Sequence, residues 1–143
     1  MMLNYEDARA LVFQNVKPLE KCTHPLTESQ GLALSEDILA PHGIPSFDNS
    51  GVDGYAVQAK DLAHASARRP VLLENLGYIA AGDSGNQIMN SGQCMQIATG
   101  APLPKGADSV VMKEDIEAEG SKIRFTLLIQ EKENIRYRGE DIP

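Results

Sequence analysis

Three short stretches of the chain hold residue types that could do chemistry. The first is Ser46-Phe47-Asp48-Asn49-Ser50-Gly51-Val52-Asp53-Gly54-Tyr55-Ala56-Val57. Asp48 and Asp53 carry hard carboxylate oxygens, suited to Mg2+ where a substrate oxyanion shares the ion. Asn49 and Ser50 add an amide and a hydroxyl. Gly51 and Gly54 permit close approach of a ligand to the backbone. Taken alone, the stretch reads first as a turn feeding a strand at Tyr55, because Asp, Asn, Ser and Gly are the ordinary turn residues. The second stretch runs from Ile97 to Asp108. Thr99-Gly100 ends an apolar run in a hydroxyl and a glycine, where backbone N–H groups can form an anion-binding nest. Pro102 and Pro104 stiffen the loop beyond and lower the entropy lost on binding. Alone, it reads as a rigid connector. The third stretch is Asn134-Ile135-Arg136-Tyr137-Arg138-Gly139-Glu140-Asp141-Ile142. If it is extended, Arg136 and Arg138 face the same way and could clamp an oxyanion or phosphate. Glu140 and Asp141 come after a flexible joint. In isolation this would be a frayed, solvated tail.

The elements that must position these groups are of two kinds. Asn4 can cap a helix with Glu6 and Asp7 in its first turn. Ala8, Leu11, Val12 and Val16 recur at helical spacing, and Pro18 ends the pattern. This predicts an amphipathic helix over 5–16. A short helical turn is expected near 27–31, and the segment Leu32–Leu39 leans towards strand. Beyond Pro41, Gly and Pro punctuate short β-branched or apolar runs: Tyr55–Val57, Val71–Leu73, Leu76–Ala80, Met95–Ile97 and Ser109–Met112. A run near Ile116 and another at Lys122–Leu127, joined through Glu119-Gly120-Ser121, read as a hairpin. The expected fold is α+β: a small helical linker part and an irregular, twisted β-rich domain. Glu114, Asp115, Glu117 and Glu119 read as a solvated face.

Composition narrows the function classes. The chain has 143 residues, 42% hydrophobic and 23% charged, enough for one core or two small interlocked units. Aromatics make up 5% with no Trp, which argues against a stacking platform for single-stranded nucleic acid. Net charge is −7 and no basic block occurs, so phosphate-backbone binding is not expected. Cys22 and Cys94 form no CxxC motif, and His24, His42 and His64 are scattered. Two reduced thiols in a cytoplasmic protein are expected. The acidic N-terminus does not read as a secretory leader, and no apolar run could span a bilayer.

Together the motifs FDNSGVDGYAV, ATGAPLPKGADSVVMKED and NIRYRGEDI, in this order, resemble the N-terminal half of the MoeA family, the molybdopterin molybdenumtransferases, related to the gephyrin E-domain. LENLGYIAAGD, the leading helix with Glu6-Asp7-Ala8 and the LALSEDILAP run fit as well, so the resemblance covers essentially the whole chain. It implies insertion of molybdate into adenylylated molybdopterin with release of AMP, assisted by Mg2+. It implies catalytic roles for Asp53, Thr99 and Asp141, with Asp53 and Asp141 as candidate metal ligands. It implies oxyanion or phosphate contact for Arg136, and substrate positioning by Ser50, Gly100 and Asn49. Gly51-Val52 and Ala98 stand where many members have Ala-Met and Met. These changes trim side chains beside the site and remove no polar group.

The same resemblance implies a domain plan. Residues 1–43 and 134–143 would form a linker domain, and 44–133 an inserted β-rich domain. The family's pterin-binding and C-terminal domains have no counterpart in this sequence. Family members act as homodimers with the cleft shared between subunits, so this chain is not expected to complete the reaction alone. The alternative is a non-catalytic dimerisation or interaction module on the same scaffold.

Overall fold

The computed structural model describes residues 3–143, divided into two units at Leu39/Ala40. In the first unit, helix α1 spans Tyr5–Asn15. Asn4 caps it, its side-chain oxygen accepting from the backbone N–H of Asp7 at 2.8 Å, which satisfies one of the donors a helix start leaves free. The chain turns extended at Val16, just before Pro18. The expected helix is present, but no face of it is buried, so the expected amphipathic packing is not seen; Phe13 is 70% exposed. The expected helical turn forms over Leu26–Glu28. The segment 32–39, which leaned towards strand, forms none. Leu32, Leu34, Ile38 and Leu39 are all exposed. With no strand beside them to pair with, β-propensity has nothing to act on.

The second unit is a curled mixed sheet with a small annex. Its strands are β1 (Asn49–Ser50), β2 (Gly54–Val57), β3 (Val71–Ile79), β4 (Gln93–Ile97), β5 (Ser109–Met112), β6 (Ile116–Glu119), β7 (Lys122–Phe125) and β8 (Ile135–Arg136). The main sheet has the order β5-β2-β4-β3-β7-β6, and β1 pairs with β8 in a separate ladder. All neighbours run antiparallel except β3 and β4. The expected hairpin forms between β6 and β7, turning at Gly120, whose φ is +66°. The two runs expected at 71–73 and 76–80 merge into the single strand β3. The register against β4 shifts between Asn75 and Tyr78, where Gly77 takes a φ of +136°. A bulge there keeps the pairing while bending the strand.

Both faces of β2 are covered, because successive side chains on a strand point to opposite sides. Tyr55 and Val57 join Leu62, Leu73, Cys94, Val111, Ile123 and Phe125 in one core. Ala56 joins Ile79, Met89, Met95, Ile97 and Val110 in the other. Tyr55 and Phe125 meet edge to face, with centroids 6.4 Å apart and planes at 85°, a favoured arrangement of ring quadrupoles. This double packing makes the start of β2 a rigid place from which to present Asp53.

The tail departs from expectation. It is extended only to Arg136, and then Glu140 N–H donates to the Tyr137 carbonyl at 3.1 Å to form a turn. The alternation that would have put Arg136 and Arg138 on one side therefore stops. The Arg138 backbone N–H donates instead to Asp48 Oδ1 at 2.8 Å.

Candidate active-site cleft

Asp53 immediately precedes β2, and Thr99 lies in the turn after β4. In that turn Ala101 N–H donates to the Ala98 carbonyl at 3.0 Å. Gly100 has a φ of +78°, as the third residue of a type II turn requires. Because β2 and β4 are antiparallel with Gly54 opposite Ile97, the end of β4 meets the start of β2. Thr99 is thereby delivered to Asp53. Asp53 Oδ1 accepts from both the backbone N–H and the hydroxyl of Thr99, each at 2.9 Å. These two donors, with Lys113, hold the Asp53 carboxyl below the usual carboxylate range.

Lys113 arrives from the other side. It comes directly after β5, whose Met112 stands opposite Gly54. Its backbone N–H donates to the Asp53 carbonyl at 3.1 Å, and its ammonium lies 3.3 Å from Asp53 Oδ2. Three strand ends thus converge on one carboxylate. They enclose an open cleft of ≈ 380 Å³ lined by Asp53, Gly54, Tyr78, Gln96, Ile97, Ala98 and Lys113. Gly54 is indispensable here for space: a Cβ on it would lie 2.0 Å from the Val111 carbonyl oxygen.

A second polar cluster is built on β8. Arg136 Nε donates to Glu140 Oε1 at 3.0 Å, and its Nη2 donates to Asp141 Oδ2. Glu140 also accepts from the Tyr137 N–H at 2.7 Å. That backbone bond, and after it Arg136, lowers the Glu140 carboxyl, and Glu140 with Asp141 raises the Arg136 guanidinium. Strand β1 joins the clusters. Asn49 stands opposite Arg136, while the Ser50 carbonyl accepts from Gly100 N–H at 2.8 Å and Ser50 N–H donates to the Ala101 carbonyl at 3.0 Å.

The structure therefore brings Asp53 and Thr99 into direct contact, with Gly100 shaping their turn, and brings Arg136 and Asp141 into contact with each other. Arg136 and Asp141 do not line the Asp53 cleft. The side chains of Ser50 and Asn49 are spent locally. The fully buried Ser50 hydroxyl donates to the Val52 carbonyl at 2.6 Å, and the Asn49 amide donates to the Phe47 carbonyl at 3.1 Å. Both residues fix the loop that leads into Asp53. Lys113, Tyr78 and Gln96 line the cleft without having been singled out by sequence. For Lys113 the usable signal was its place at the end of the apolar run 109–112, but its meeting with Asp53 depends on the β2–β5 register.

The described residues do not assemble a magnesium site. Asp53 gives one oxygen to Thr99 and the other to an ammonium, and Asp141 gives Oδ2 to a guanidinium. A dication on Asp53 would sit against Lys113. Among the described residues, no group of three or more His, Cys, Asp or Glu is placed to hold a metal ion.

The family model "MoeA N-terminal region (domain I and II)" matches residues 3–143. A molybdopterin molybdenumtransferase of Synechococcus elongatus is 36% identical, covering 99% of this chain and 36% of that protein. The enzyme of the same name from Bacillus subtilis is 42% identical, covering 81% of this chain and 28% of that protein. A crystal structure of the molybdopterin biosynthesis MoeA protein from Pyrococcus horikoshii OT3 superposes with a TM-score of 0.86 at 33% identity, covering 99% of this chain and 38% of that one. The chain thus spans about a third of the length of the curated relatives it matches. The chain, with its α+β fold, accordingly belongs to the MoeA family, of which it carries the N-terminal region.

Proposed function

We propose that this chain forms one wall of a transferase site that inserts molybdate into adenylylated molybdopterin and releases AMP. The activity is that of the longer protein typified by its relatives, to which this region contributes. The observation that carries the reading is the Asp53 carboxylate, fixed by two Thr99 donors on the wall of an open cleft. A negative group held rigidly before substrate arrives needs no reorganisation in the transition state. Asp53 orients its ligand, Thr99 keeps Asp53 ionised and aimed, and Gly100 sets the turn that makes this possible. Arg136 contacts an oxyanion or phosphate, braced by Glu140 and Asp141. Ser50 and Asn49 position substrate indirectly, through the loop they hold. No magnesium step is assigned to this chain's residues.

The domain plan we propose places 1–43 with 134–143 as a linker and 44–133 as the inserted β-rich body. Its support is the pairing of the body's first residue with the returning tail: Ile44 N–H donates to the Ile142 carbonyl at 2.8 Å, and Asp141 N–H donates to the Ile44 carbonyl at 2.9 Å. The assembly we propose is a homodimer in the cytoplasm. The dimer is favoured by the apolar side chains that α1 leaves exposed, among them Leu11, Val12, Phe13 and Val16. The same exposed side chains support the alternative of a non-catalytic dimerisation module. The compartment is favoured by the free thiols of Cys22 and Cys94.

A chimera joining this chain to the remaining two thirds of the Synechococcus elongatus relative tests the function. Molybdate-dependent AMP release from adenylylated molybdopterin is expected. A folded, dimeric chimera that releases no AMP would favour the dimerisation module.

A further inference from the structure

Among the described residues, Lys113 is the one cationic side chain that lines the Asp53 cleft. Its side chain is 54% exposed, and Asp53, its partner, is 52% exposed. An ion pair so open to solvent holds its members weakly, so the ammonium can change partner at little cost. Asp53 does not depend on it for position, because Thr99 fixes the other oxygen with two donors. The root of Lys113 is fixed as well, by its backbone bond to the Asp53 carbonyl at 3.1 Å. The arrangement is a mobile cationic head on an anchored base, beside a carboxylate that stays in place when the head leaves. The setting gives that head a purpose. The chain carries a net charge of −7, so an anion approaching the cleft meets unfavourable potential unless a local cation offsets it.

We propose that Lys113 is the anion-binding residue of this cleft: its ammonium rests on Asp53 Oδ2 when the cleft is empty and transfers to an oxyanion or phosphate monoester when one enters. The choice of that ligand class rests on the transferase reading. Gln96 and Tyr78, the latter 57% exposed, complete the wall.

The test is an NMR titration of the ¹⁵N-labelled 143-residue chain with AMP and, separately, with sodium molybdate, without magnesium. Amide shifts at Thr99, Asp53 and Lys113 are expected with at least one of the two. Response to AMP alone assigns the phosphate monoester as the ligand, and response to molybdate alone assigns the inorganic oxyanion. Lys113→Gln is expected to weaken that binding about tenfold, and Lys113→Arg to retain it within about threefold. Retained dispersion of the other amide signals shows that each variant is folded. Equal binding by wild type and Lys113→Gln, or no binding of either anion by wild type, overturns the proposal. The transferase reading is judged separately, on the chimera. If Lys113→Gln leaves its turnover intact while Asp53→Asn removes it, the Lys113 assignment fails and the transferase reading stands.

Discussion

Gly54→Ala adds one methyl group where the fold has no room for it. The ideal Cβ would lie 2.0 Å from the Val111 carbonyl oxygen, 2.9 Å from its carbon and 3.0 Å from Val110 Cγ1. Two of these atoms are backbone in the adjacent strand β5, so no side-chain rotation relieves the contact. Relief requires β2 and β5 to separate by more than ~1 Å, since carbon and oxygen rest above ~3 Å apart. Gly54 is not among the residues with positive φ, so alanine costs nothing in backbone conformation and the penalty is steric. Overpacking of this kind costs about 1–3 kcal/mol. A clash against backbone belongs at the upper end, about 3 kcal/mol. For a domain of this size that is a fall in Tm of about 10 °C. The same displacement moves Lys113 away from Asp53, because the Lys113 N–H to Asp53 carbonyl bond spans the two strands. Thermal unfolding monitored by circular dichroism reads the first effect, and the amide shifts of Asp53 and Lys113 read the second. A Gly54→Ala protein within 2 °C of wild type, with those shifts unmoved, would refute the steric reasoning.

The same geometry yields further expected outcomes. Phe125→Ala empties a fully buried site against Tyr55 and should cost about 3–5 kcal/mol in urea unfolding; a loss under about 1 kcal/mol would mean the core collapses freely around it. Asp53 has its acidity set first by the Thr99 N–H, then by the Thr99 hydroxyl and Lys113. Its folded-state value is depressed, so the bonds to Thr99 are present above the ordinary carboxylate range of about 4 and are lost as pH falls through the lower folded value. In an NMR pH titration the Asp53 midpoint should lie below that of an ordinary aspartate and rise in Thr99→Val, which keeps the backbone donor and loses the hydroxyl; an identical midpoint in the variant would contradict this. The Cys94 thiol is buried and pushed up to about 12, whereas Cys22 is exposed. A disulfide reagent near neutral pH should titrate one thiol in the native chain and two after denaturation, and two fast thiols in the native protein would disprove the packing.

The sequence was informative wherever the cause of structure is local. Asn4 with Glu6 and Asp7 announces the start of α1, and Gly120 between β-branched runs announces the β6–β7 hairpin. It was informative about Thr99 and Asp53 as separate candidates. Their bond joins residues 46 positions apart and depends on the register of β2 against β4, which no local pattern encodes. Lys113 escaped notice for the same reason at a separation of 60. Ser50 and Asn49 were legible as polar residues in a turn, but whether such groups face a ligand or their own backbone is decided by burial, and here they bond to the Val52 and Phe47 carbonyls. The run 32–39 misled because its apolar residues invite a strand, while strand formation needs a neighbour.

The most direct test of the account is single-turnover AMP release by the chimera carrying Asp53→Asn. The substitution keeps the side chain's size and its capacity to accept from Thr99, and it removes the charge. The account predicts that turnover falls by about 10²-fold, the scale on which loss of an orienting group misplaces a bound substrate, with Tm unchanged. Turnover equal to that of the parent chimera would contradict it, and Asp53 would then be a structural residue beside a cleft that does no chemistry.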